Sequence, residues 1–528
     1  MTRFVHTLVT ETAERVPDYV ALKYGNQTLS YADLHAELES FSSGVMSIGL
    51  ERSARVAIYA EKRFETVIAM FGTSMAGGVY VPINPLLKTE QVMHIMKDCA
   101  AQILVTTTVR LKVIQDSLSQ DVSLNTIIVM DGATGVMDSV NGVSIRSWAD
   151  FMKQPLTAGH RVIDSDMAAI LYTSGSTGKP KGVILSHRNI VAGADSVSEY
   201  LELDHQDRVL SVLPLSFDYG MNQLTATFRV GGQVVLMNYL MPQDILQILA
   251  KEHITGLAAV PPLWVQLAKL KWPDSIRSHL RYFTNSGGHM PQETLKALRE
   301  NVPETRPFLM YGLTEAFRST YLPPEEIDRR PDSIGKAIPN AEILVVRPDG
   351  TLCDPEETGE LVHRGVHVAL GYWGDAQKTA ERFKPAPLQD PHIPLTEIAV
   401  WSGDFVRKDK DGYLYYVGRQ DEMIKTSGYR VSPTEVEEVF YNTKLVAEVA
   451  AFGWLHPVLG QAIVIVATPV TGTQLSGDAL KAAVRDILPN YMLPSSVFIQ
   501  EDSLPRNPNG KIDRKKLANE YGELISYD

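Results

Sequence analysis

The run Tyr172-Thr-Ser-Gly-Ser-Thr-Gly-Lys-Pro-Lys-Gly182 crowds hydroxyls, glycines and two lysines into one short loop between apolar segments. Thr173, Ser174, Ser176 and Thr177 can donate to phosphate oxygens, Gly175 and Gly178 allow close approach of backbone N–H groups, and Lys179 and Lys181 add positive charge. It is not a Walker loop, because Thr173 stands where the first Gly belongs and Pro180 follows the lysine. The same residues also suit a surface hairpin of turn formers. In Tyr311-Gly-Leu-Thr-Glu315, Tyr311 can stack on a purine, Thr314 can bond a phosphate oxygen and Glu315 can hold Mg²⁺, a hard cation that prefers oxygen ligands. Asp404 offers a carboxylate to two ribose hydroxyls, or belongs with Asp409 and Asp411 to hairpin turns. Asp218 follows an apolar strand, where it faces a ligand crevice or caps the next helix. Arg318, read as lying on the same side of a helical turn as Glu315, either neutralises an acidic group on a substrate or pairs internally. Lys511 lies in a loop rich in Gly and Pro, which by composition describes a solvated lysine.

Together these segments resemble the AMP-forming adenylating enzymes: acyl-CoA synthetases, peptide-synthetase adenylation domains and luciferases. The resemblance covers essentially the whole chain. It implies ATP and Mg²⁺, with Thr173, Ser174, Gly175, Ser176, Thr177, Gly178 and Lys179 gripping the β- and γ-phosphates. The turn carrying Gly287, Gly288 and His289 is implied to pack on adenine beside Tyr311, while Asp404 and Arg419 hold the ribose. Thr314, Glu315 as metal ligand, and Lys511 of Asn509-Gly-Lys511 serve the reacting phosphate. Asp218, Tyr219, Asn222, Ala259, Phe283, Asn285, Met310 and Arg318 line the acid pocket, Asp421 is the hinge, and Gly428 lines a pantetheine tunnel.

By the same resemblance the reaction makes an acyl-AMP and passes the acyl group to a thiol. Leu215-Ser-Phe-Asp218 is similar to the motif whose Asp holds an α-ammonium in amino-acid-activating relatives. That points to a small amino acid loaded on the phosphopantetheine of a separate carrier protein; the alternative is an acyl-CoA ligase using a fatty or aryl acid and free CoA. Phe217-Asp-Tyr-Gly220 and Glu315-Ala-Phe-Arg318 also look like ligases associated with exosortase-type export clusters. An oxygen-using luciferase and a non-catalytic nucleotide binder are the other classes. Lys511, Glu315 and Asp404 argue against the second, and the ending Ser526-Tyr-Asp528 lacks the peroxisomal signal usual in the first.

The elements that must position these residues follow from periodicity. Strands are expected at 21–24, 56–59, 103–105, 126–130 and 168–172, with helices from Ser30 to 48 and over 64–75. This alternation predicts an α/β fold of parallel sheets with helices on their faces. From 334 onward, short strands and turns suggest a small β subdomain. Beyond 418 the pattern becomes a mixed small sheet, with helices at 435–440 and 478–486 and strands at 446–452 and 462–467. The expected division is a core of two helix-flanked mixed or parallel sheets plus the β subdomain over 1–417, a hinge at 418–422, and a mobile α+β domain over 423–528.

With 528 residues, 44% hydrophobic and 21% charged, the composition is that of a globular protein rather than a disordered one. A net charge of -12 disfavours general nucleic-acid binding. Cys99 and Cys353 are too few for a disulfide framework or a thiolate metal site. The N-terminus lacks the basic and apolar regions of a signal peptide, and the uncharged stretch 449–477 is broken by Gly453, His456, Pro457 and Gly460. The expectation is a cytoplasmic enzyme with no membrane span.

Overall fold

Continuous apolar runs form the central strands of the computed structural model, which describes residues 3–525 apart from 119–122, 133–138, 174–179, 420–421, 427–428, 457–458, 471, 486, 489, 508–509 and 523. Val79–Ile83 is buried at every position, as a strand covered on both faces requires. It pairs in parallel with Arg55–Tyr59, which pairs with Ile103–Thr106 and that in turn with Thr126–Val129. The helices between them carry explicit end signals. Ser30 opens Tyr31–Ser47 by accepting the Asp33 N–H at 3.0 Å, and Asp33 reciprocates by accepting the Ser30 N–H at 3.1 Å. Phe64–Ala76 stops at Gly77, whose φ of 81° is a left-handed cap that a side chain would disfavour.

Among the described residues the strands form three sheets. The nine-stranded one ends in the antiparallel hairpin of Met167–Thr173 and Lys181–Ser186, with Gly371–Tyr372 added at its edge. The fourteen-stranded one contains three parallel neighbours, Gly256–Ala259, Tyr282–Asn285 and Arg306–Tyr311. Their register sets Ala259 beside Asn285 and Asn285 beside Leu309, so all three carboxyl ends open on one crevice. The same sheet continues into the antiparallel strands Thr358–Gly365, Ile398–Lys408 and Leu414–Arg419.

The third sheet is built only from strands between Ile424 and Ile499. It has its own core, in which Val436 and Phe440 pack with Ile463, Ile465 and Leu480. Two of its strands, Val446–His456 and Gly460–Pro469, outrun the expected ends because each continues to supply the other with ladder partners beyond the apolar stretch, as at Trp454 and Ala462. The result is a mixed α/β protein with a large N-terminal domain and a smaller C-terminal one. Among the described residues no helix is long and apolar enough to cross a membrane.

Candidate active site

The hairpin register places Thr173 directly opposite Lys181 at the mouth of the signature loop. Residues 174–179, and with them the expected phosphate contacts of Ser174, Gly175, Ser176, Thr177, Gly178 and Lys179, lie outside the described residues. Thr173 Oγ1 is buried with no hydrogen-bond partner among the described residues. Lys181 Nζ donates to Tyr372 Oη at 2.8 Å and lies 3.3 Å from Glu315 Oε1, which also accepts the Tyr372 hydroxyl at 2.6 Å. Burial raises the pKa of Glu315, but Lys181 and the Tyr372 hydroxyl outweigh it and hold the carboxyl below its usual range. Glu315 is therefore an anion at neutral pH. Tyr372 was not foreseen as a site residue, since in sequence it is only part of a short strand; its edge pairing with Lys181–Ser186 brings it here.

Asp404 and Arg419 occupy opposite positions on adjacent antiparallel strands and form an ion pair of 3.1 Å, a direct cross-strand pair. Asp404 also accepts a hydrogen bond from the Tyr311 hydroxyl. Burial raises the Asp404 pKa, against the opposing pull of Arg419 and Tyr311. Asp409 and Asp411 lie apart from it in a turn, both bonded to Arg330, so the three aspartates are not one hairpin series.

On the other side of the crevice, Asp218 is the first residue of the helix Asp218–Val230, and Phe217 is its N-cap. Its side chain does not cap the helix. It accepts the Thr314 hydroxyl at 3.1 Å and lies 3.8 Å from Nη1 of Arg318. Burial raises the Asp218 pKa; Arg318, Thr314 and Lys511 oppose it. Asn222 is buried one turn further along the same helix, and Tyr219 bonds Thr284 through their hydroxyls at 2.5 Å. Ala259, Asn285 and Met310 stand at the ends of the three parallel strands, and Phe283 packs behind them on Trp264 with centroids 5.0 Å apart.

Arg318 is not on a helical turn with Glu315. The short 3-10 turn Thr314–Ala316 is broken by Phe317 at φ 55° and ψ -49°, and Arg318 N–H reaches back to the Ala316 carbonyl at 2.6 Å. This is a γ-turn of the rare, strained hand. It sends the Phe317 ring into the space above Gly193, where a Cβ would lie 2.1 Å from Cδ1, and turns Arg318 toward Asp218 and the face of Tyr219. The strain has no simple composition signal, which is why the sequence suggested a helical turn.

The C-terminal lobe reaches into this crevice. Lys511 Cε lies 3.6 Å from where a Cβ on Gly287 would sit, beside the glycine turn that also contains Gly288 and His289. The residue is exposed overall, yet desolvation in the crevice and the charge of Arg419 lower its pKa, while Asp404 and Asp218 both act to raise it. One ammonium is thus felt by carboxylates on both walls. His289 Nε2 contacts Glu438 Oε2 at 2.8 Å, and Lys444 pairs with Glu293 at 3.2 Å, so the lobes also touch at the rim. Asp421 and Gly428, expected as hinge and tunnel residue, lie outside the described residues.

The AMP-binding enzyme family matches residues 9–373, and the AMP-binding enzyme C-terminal domain matches residues 435–511. Indoleacetate–CoA ligase of Aromatoleum aromaticum is 29% identical over 503 residues, 94% of each chain. Gramicidin S synthase 2 of Brevibacillus brevis is 28% identical over 534 residues and 98% of this chain, but the chain spans only 11% of that protein's length. Among solved structures, o-succinylbenzoate CoA synthetase (MenE) from Bacillus subtilis with its acyl-adenylate intermediate aligns at a TM-score of 0.81 and 25% identity, covering 97% of each chain. ATP-bound MatB from Rhodopseudomonas palustris aligns at 0.86 and 23% identity, over 99% of this chain and all of that one.

Proposed function

From the premise that this chain belongs to the AMP-binding enzyme family and is an AMP-forming acid–thiol ligase, we propose that it activates a small acid with a polar tail, as an amino acid has, and loads it on a phosphopantetheine thiol. The observation that carries this reading is the position of Lys511, whose Cε reaches the Gly287 turn in the crevice and whose charge acts on Asp218 on one side and Asp404 on the other. A cation there suits the meeting point this reading gives to a substrate carboxylate and the α-phosphate of ATP. The carboxylate oxygen attacks the α-phosphorus, the bond to the bridging oxygen breaks, and pyrophosphate leaves with its electrons. The thiol then attacks the acyl carbon of acyl-AMP and AMP departs.

Lys511 screens the two anions as they approach, which is the principal task in a reaction limited by charge crowding. Asp404 and Arg419 hold the ribose, Tyr311 backs the purine, and Thr173 with the loop after it grips the outer phosphates. The solved structure of the Bacillus subtilis synthetase with ATP and magnesium supports the same pair of ligands. Glu315, anionic and half-buried, fits as the protein ligand of Mg²⁺, and among the described residues no cluster of three His, Cys, Asp or Glu competes for it. Bound Mg²⁺ adds positive charge at the phosphates, with their oxygens and water completing its shell.

A polar acid is favoured over a fatty one because the acid wall contains the buried carboxylate Asp218, which a hydrocarbon tail cannot solvate. Free CoA in place of a carrier protein is favoured by one specific observation, the end-to-end match to indoleacetate–CoA ligase. Incubation of a supplied acyl-AMP with CoA and with carrier proteins separates the two acceptors. ATP–pyrophosphate exchange across amino acids and simple acids tests the reading itself: release of ADP and orthophosphate in place of AMP and pyrophosphate overturns it.

A further inference from the structure

Arg318 is 2% exposed, yet only part of its guanidinium is used. Nη1 faces Asp218 at 3.8 Å, and the guanidinium carbon lies 4.6 Å from the centre of the Tyr219 ring. Nε and Nη2 have no hydrogen-bond partner among the described residues. These two nitrogens form one edge of the guanidinium, and their N–H bonds project side by side in the spacing that a carboxylate accepts through both oxygens. Buried donors are seldom left unmade, because a desolvated N–H without an acceptor is costly.

We propose that the acid activated by this enzyme carries a second carboxylate, bound in a bidentate pair by the Nε–Nη2 edge of Arg318. This deepens, and rests on, the reading of the protein as an acid-activating ligase. A hydrocarbon or aryl tail leaves the edge empty, and a neutral amide or hydroxyl satisfies it in part. Only an oxyanion with two acceptors in one plane fills both positions of the edge. Asp218 acts on the opposite edge as a positioning residue, fixed in turn by the Thr314 hydroxyl. The charges close neatly when the acid also bears an α-ammonium: that group pairs with Asp218, the distal carboxylate with Arg318, and the reacting carboxylate with Lys511. Phe317, through its strained turn, holds the guanidinium on this side of the crevice.

The test is ATP–pyrophosphate exchange by the full chain with three-to-six-carbon dicarboxylic acids, with and without an α-amine, beside their distal half-amides and monocarboxylic analogues. Expected is a preference of about 100-fold or more in kcat/KM for the diacid over its half-amide, since a site built to bond a group rejects analogues that lack it. Arg318→Gln should collapse that ratio or reverse it, and Arg318→Lys, which keeps the charge but not the fork, should leave an intermediate ratio. Protection of the wild-type chain from thermal unfolding should likewise be greater with AMP plus diacid than with AMP plus half-amide, a readout that needs no variant to fold. The proposal is overturned if half-amides or monocarboxylic acids match the diacids, or if Arg318→Gln lowers all acids alike. Absence of exchange with every acid, joined to absence of AMP formation, overturns the ligase reading instead.

Discussion

Lys511 is the residue on which the proposed adenylation turns, and its surroundings give that proposal a pH signature. In the proposed role only the protonated lysine can screen the phosphate and carboxylate. Because crowding and Arg419 lower its pKa, activity should fall as pH rises through a value below that of an ordinary lysine. Lys511→Arg should move this limb to higher pH, which the pH profile of ATP–pyrophosphate exchange would reveal; an unmoved limb assigns it to another group. Lys511→Ala should cost about 10²–10³ in the exchange rate, the scale for losing one charge-stabilising donor. It should spare thioester formation from supplied acyl-AMP, and equal loss of both half-reactions would refute the role. Glu315→Gln removes the expected protein ligand of Mg²⁺, so its exchange activity should require markedly higher magnesium, measured by titrating the metal at fixed ATP.

Among the elements, the turn between Glu315 and Arg318 shapes the wall proposed to hold the acid. Gly193 sits beneath the Phe317 ring, and a methyl group there would lie 2.1 Å from ring carbon Cδ1. Gly193→Ala should therefore destabilise the fold by about 1–3 kcal/mol, the usual cost of overpacking. It should also disturb the acid preference more than the KM for ATP, because the displaced ring carries Arg318 with it. A thermal melt together with the acid panel checks both halves; a lower melting temperature with unaltered acid selectivity would separate Phe317 from the pocket. These elements also show what a sequence discloses. The strand-to-helix alternation, the Ser30 cap and the Gly77 stop were legible because each rests on local chemistry. So were Thr314, Glu315, Asp404 and Lys511 as candidates, because their motifs are contiguous. That Asp218 does not cap its helix became visible only through long-range packing, which draws its side chain to Thr314 and Arg318. Tyr372 was illegible for the same reason, as its role depends on an edge pairing with strand 181–186.

At the scale of the whole molecule, two kinds of charge matter: ion pairs across the lobes and histidines locked inside. Lys444–Glu293 and His289–Glu438 join the C-terminal lobe to the large domain at the crevice rim. Glu293→Lys should weaken that pose by about 0.2–1 kcal/mol, the range for exposed pairs. The expected result is up to about a fivefold loss of exchange activity with thioester formation spared, and a gain in exchange would contradict it. His187, His363 and His367 are buried and His6 is half-buried, and desolvation pulls the pKa values of His6, His187, His363 and His367 down to about 3, 4, 3 and 4. The unfolded chain binds protons near pH 6.5 that the folded chain refuses, so stability is retained above that pH and lost as pH falls below it. Between pH 6.5 and 5 the loss is about 2 kcal/mol per histidine. Urea unfolding at pH 7 and pH 5 measures it directly; equal midpoints would show that these side chains do not remain neutral in the native state.

The strand Leu414–Arg419 ends in the arginine that clasps Asp404, and Asp421, the expected pivot, comes only two residues later in the chain. On the proposed roles, the residue that grips the sugar and the expected pivot are near neighbours in the sequence. If both roles hold, nucleotide departure and resetting of the lobe are coupled, so AMP that lingers after turnover should slow the lobe's return.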